Sequence, residues 1–61
     1  MTDAELNALA SLNKRAADIA FCASQERDPR VRERMLENAK RLFDVVTLSL
    51  EVDRMVREVR A

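Results

Sequence analysis

Apolar residues occur at Leu6, Leu9, Leu12, Ala16, Ile19, Ala20 and Ala23. Steps of three and four keep them on one face of a helix. Asn7, Ser11, Lys14, Arg15, Asp18 and Gln25 fall on the opposite side. Thr2-Asp3-Ala4-Glu5 has the spacing of a capping box and places the helix start. Asp3 and Glu5 also suit the positive end of the helix dipole. Toward Ala23 the apolar face changes from leucine to alanine, which lets a facing helix approach closely.

A second pattern runs through Val31, Met35, Leu42, Val45, Val52, Val56 and Val59 in a four-three rhythm, with Asn38 and Ser49 as polar gaps. Leu36, Ala39, Phe43, Val46 and Leu50 widen this stripe on one flank, and Leu48 and Met55 lie on the other. In Val31–Val46 the apolar arc centres near Ala39 and Val46. In Val52–Val59 it centres roughly 130° away at ~100° per residue. A supercoil drifts only ~20° per heptad, so the helix is read as having two contact faces. One is for the first helix and one is for something else.

The single turn signal is Asp28-Pro29. A residue before proline avoids the α region, aspartate is a good N-cap, and proline suits the first helical position. These signals predict an all-α, antiparallel two-helix hairpin, with helices over about 3–26 and 29–60, in a single domain over residues 1–61. No glycine is present to close the first helix, so a single kinked helix is the alternative. Glu37 with Arg41, and Asp53 with Arg57, are spaced as ion pairs along the second helix.

At 1.5 Å per residue the helices measure roughly 35 and 48 Å, so the second is expected to overhang the first by two turns or more. Val52, Met55, Val56 and Val59 lie in that overhang. With Val45 and Leu48 they form the expected interface.

Length sharpens this expectation. A chain of 61 residues cannot bury a large core between two helices. Chains this short rely on disulfides, metals or oligomerisation. One cysteine and no histidine exclude an internal disulfide and argue against zinc. A homodimer forming a four-helix bundle, or docking on a larger protein, remains. A dimer that antagonises a larger enzyme belongs to the same class.

Other functions lack their parts. Without histidine, no Ser, Thr or Cys has the usual base to activate it, and Glu33 and Glu37 have no partner for a di-iron site. No glycine-rich loop cradles phosphate. No catalytic, metal or cofactor site is therefore expected. Cys22 is read as a small, half-buried apolar residue, with an interchain disulfide or redox role as the alternative. Phe21 and Phe43 are expected in the core.

The formal net charge is zero, so no overall field attracts nucleic acid or anionic lipid. Locally, Arg27–Arg41 holds six basic side chains against three acidic ones. Arg30, Arg34 and Arg41 share an outward stripe, which makes an RNA- or DNA-binding bundle the alternative function. Glu37 interrupts that stripe, and no Tyr or Trp is present for base stacking. Asp3 and Glu5 stand where a signal peptide would be basic, and no stretch matches a membrane span. With a lone cysteine, these features give a cytoplasmic expectation.

The sequence Asp28-Pro29-Arg30-Val31-Arg32-Glu33-Arg34-Met35-Leu36, followed by Ala39 and Leu42, resembles a group of short uncharacterised alphaproteobacterial proteins. They have an alanine- and arginine-rich helix, an Asp-Pro-x-Val-Arg turn and a second amphipathic helix. The resemblance covers roughly Leu9–Val46. It implies a helical hairpin and no activity. Val45–Val59 is more apolar than the pattern implies. In length and hairpin plan the chain is also similar to the plasmid-copy-control protein Rop, a dimeric four-helix bundle that binds paired RNA loops. That likeness implies a bundle, but no RNA-contacting motif is matched.

Overall fold

In the computed structural model, which describes residues 1–61, the chain forms two helices, α1 (Asp3–Gln25) and α2 (Pro29–Arg60). Thr2 is extended, and its Oγ1 accepts the Glu5 backbone N–H at 3.2 Å. The same hydroxyl donates to Glu5 Oε1 at 3.0 Å. The box thus closes through the threonine side chain, where a standard one has glutamate bind the cap's backbone N–H.

The turn is made without glycine. No residue has a positive φ. Glu26 is extended and its N–H reaches the Ala23 carbonyl at 3.1 Å. Glu26 Oε1 then accepts the backbone N–H groups of Arg27 and Asp28, each at 3.1 Å. One carboxylate thus satisfies two donors that would otherwise need water or a tighter turn. Asp28 Oδ1 caps α2 by accepting the Arg30 N–H at 2.9 Å, with Pro29 in the first turn.

The three-residue connection sends α2 back along α1, and the Met1 ammonium meets Asp53 Oδ1 at 3.0 Å. The hairpin is therefore antiparallel and measures 50 × 18 × 10 Å. The single kinked helix is excluded.

Only Ala16, Ala23, Ala39 and Val46 are buried, and no large side chain is fully enclosed. Small side chains bring the two backbones together, as the alanine-rich stretch of α1 predicts. The half-buried positions on α2 include Met35, Leu42, Ser49 and Asp53. With Ala39 and Val46 they form one seam, 35-39-42-46-49-53, in alternating steps of four and three.

Two core expectations are corrected. Phe21 is 68% exposed. It lies two residues from both Ile19 and Ala23, about 200° around the helix from each, so it points away from α2. Phe43 is only half-buried. Cys22 is exposed, not half-buried, because it lies one residue, about 100° of rotation, from the seam residue Ala23.

Candidate interaction surface

The buried seam redraws the expected rhythm of α2. Met35, Leu42 and Ser49 turn toward α1, whereas Asn38, Val45, Val52, Val56 and Val59 are exposed. What looked like one stripe is two. α1 settles against Ala39 and Val46, where close approach is cheapest, and this turns Val45 and Val52 aside.

The exposed residues make a regular seam of their own. With Val45 assigned to heptad position a, Val45, Val52 and Val59 occupy a, and Leu48 and Met55 occupy d. These five residues follow steps of three and four without a gap. All are open to water, from Val45 at 48% to Val59 at 87%. Val56, at position e, is 41% exposed. This outer seam lies roughly 120° around α2 from the seam that meets α1.

The expectation that overhang causes this exposure is only partly correct. Met1 is level with Asp53, so only Arg54–Arg60 extends past α1, about two turns. Met55, Val56 and Val59 belong to that extension. Val45, Leu48 and Val52 lie alongside α1 and are exposed because they face sideways. Met1, Glu5, Leu48, Val52 and Val56 line a shallow groove where the start of α1 meets the outer seam. A second groove, almost wholly apolar, runs between Val52, Met55, Val56 and Val59.

Beneath the seam, Asp53 ties the two helices together. Its Oδ1 accepts from the Met1 ammonium, and its Oδ2 meets Arg57 Nη2 at 2.7 Å. The hydrogen bond from the ammonium, aided by Arg57, holds the Asp53 carboxyl below its ordinary value of 3.8 despite partial desolvation. The expected Glu37–Arg41 pair is present at 3.8 Å, and Arg54–Glu58 adds another at 3.7 Å.

Arg30, Arg34 and Arg41 are all exposed. Arg34 and Arg41 also occupy d, seven residues apart and in line with Leu48 and Met55. The arginine stripe and the apolar seam are thus consecutive parts of one face. Arg41 is engaged by Glu37 in the same stretch. Elsewhere, Leu36, Phe43 and Leu50 recur every seven residues on the other flank of α2, with Leu36 and Leu50 exposed.

No cluster of three or more His, Cys, Asp or Glu side chains is placed to hold a metal ion. No helix is long and apolar enough to cross a membrane. Comparison with known proteins finds no matching family model, no matching curated protein and no matching solved structure. The resemblances to the Asp-Pro-x-Val-Arg hairpins and to Rop rest on the residues and plan described above.

Proposed function

We propose that this chain is a non-enzymatic self-association module, a helical hairpin that pairs through the outer seam of its second helix. The observation that carries this reading is the unbroken exposed series Val45, Leu48, Val52, Met55 and Val59. β-branched residues at a with Leu or Met at d are the pattern of a two-stranded helical contact.

The exposed area leaves room for an interface. A compact monomer of 7.0 kDa exposes roughly 4000 Å². This hairpin exposes 5208 Å², about 1200 Å² more than that expectation. A standard interface covers about 800 Å² per partner, within that surplus. The scarcity of buried side chains points the same way, since three alanines and a valine make a thin core.

Sedimentation velocity tests the reading. The native chain is expected to sediment as a dimer at tens of micromolar, roughly. Val52→Asp places a carboxylate in the middle of the seam and is expected to weaken association by more than about a hundredfold. A fully helical monomer at those concentrations would refute self-association. In that case the same seam would be left to a larger protein partner.

A further inference from the structure

We infer that the two copies meet in parallel and in register along Val45–Val59, each α2 lying beside its mate with the C-termini at one end. This rests on the self-association reading above and adds its geometry.

Charge at the seam edges supplies the first argument. Position g is acidic throughout, with Asp44, Glu51 and Glu58, whereas position e holds Ser49 and Val56. Antiparallel helices set g against g, so Glu51 would face Glu51 of the second copy, and Glu58 would face Asp44. Parallel helices set g against e, so each acidic column meets a neutral one. The glutamate stems can then cover Val56 while their carboxylates stay in water.

Layer matching supplies the second. In parallel register all five layers match, valine on valine at a, with leucine or methionine at d. An antiparallel pair matches a with d. The register that sets Val45 against Met55 also sets Val59 against Arg41. That register therefore loses one apolar residue from each chain.

The position of α1 supplies the third. A two-fold axis parallel to the helices sends the two α1 helices to opposite sides of the pair. A perpendicular axis stacks them on the same side. That would turn the polar flank of α1 bearing Ser11, Arg15 and Asp18 against its own copy. This flank borders the same side of the hairpin as the groove joining Met1 to Leu48 and Val52. On opposite sides of the pair those charged flanks stay in open water. N-terminal to Val45 the seam reaches Arg41, so close pairing ends there.

Disulfide trapping tests the geometry. In a Cys22→Ser background, Val45→Cys and Val59→Cys are made separately and oxidised under native conditions. Matching a positions of a parallel pair come within the disulfide Cα span of about 4.4–6.8 Å. Each variant alone is expected to shift to a linked dimer on a non-reducing gel. Neither linking alone, while a mixture of Val45→Cys and Met55→Cys chains links, would overturn the parallel arrangement and keep self-association. A monomer in sedimentation would overturn both. A dimer with no seam link that Leu36→Ser with Leu50→Ser dissociates would place the contact on the opposite flank, also overturning both.

Discussion

The two halves of α2 use the same helix in opposite ways. From Pro29 to Asp44 the face toward α1 is apolar, with Met35, Ala39 and Leu42, while the outer line carries Arg34, Asn38 and Arg41. From Val45 to Arg60 the inner face holds buried Val46 and then turns polar at Ser49 and Asp53, while the outer line is valine, leucine and methionine. Greasiness moves sideways around the helix by about a third of a turn as it crosses Val45 and Val46. A helix with one neighbour has no use for such a shift. Such a shift suits a helix that meets α1 along Met35–Asp53 and offers a second face from Val45 onward, as the self-association proposal requires.

The outer half is where substitution should separate pairing from folding most sharply. Met55→Ala removes an exposed side chain and leaves the contacts with α1 untouched. Buried between two copies, it is expected to cost about 2 kcal/mol per chain, or about 4 kcal/mol per dimer, weakening association by roughly a thousandfold. Sedimentation equilibrium measures this. An unchanged dissociation constant would place Met55 outside the contact.

The inner half should respond differently. Ala39 is 2% exposed between the helices. Ala39→Leu has no room there and is expected to destabilise by about 1–3 kcal/mol through overpacking. Thermal melts of the native chain and the variant should show a similar loss at low and high protein concentration, because the fault lies within one hairpin. A loss confined to low concentration would mean that Ala39 belongs to the contact between copies.

A smaller effect should come from Asp53, where the two regions join. Its carboxyl titrates below the ordinary value when folded, so the unfolded chain binds more protons in acid. The stabilisation is complete above about pH 4 and is lost as pH falls through the folded value. Asp53→Asn should flatten the acid side of the stability profile below about pH 4, measured by thermal melts. An identical acid limb in the variant would show that the Met1–Asp53 tie contributes nothing.

Much of the fold was legible in the sequence because its signals are local. Thr2 and Asp28 each need only the next two or three residues to make a cap, and Pro29 fixes its own φ. The alanine-rich stretch of α1 toward Ala23 announces a close helix contact for a steric reason. The turn was harder, because Glu26 does with its carboxylate what glycine usually does with its backbone.

The residues that the sequence offers as an interface are all exposed, but partly for a different reason than overhang. Apolar side chains occupy more than half the circumference of α2. Periodicity therefore admits several seams, and only the position of α1 decides among them. Val45 and Ser49 were assigned to one rhythm, yet Ser49 turns inward and Val45 outward. Phe21 failed for a related reason. Its size argues for burial, but a two-helix layer has no second side to receive it.

Everything turns on whether a single hairpin is a stable unit. Thermal unfolding followed by circular dichroism, from about 2 to about 200 µM, measures this directly. If folding and pairing are coupled, that hundredfold range is worth about 2.7 kcal/mol and should raise the midpoint by about 10 °C. A midpoint independent of concentration, with full helicity throughout, would contradict the account.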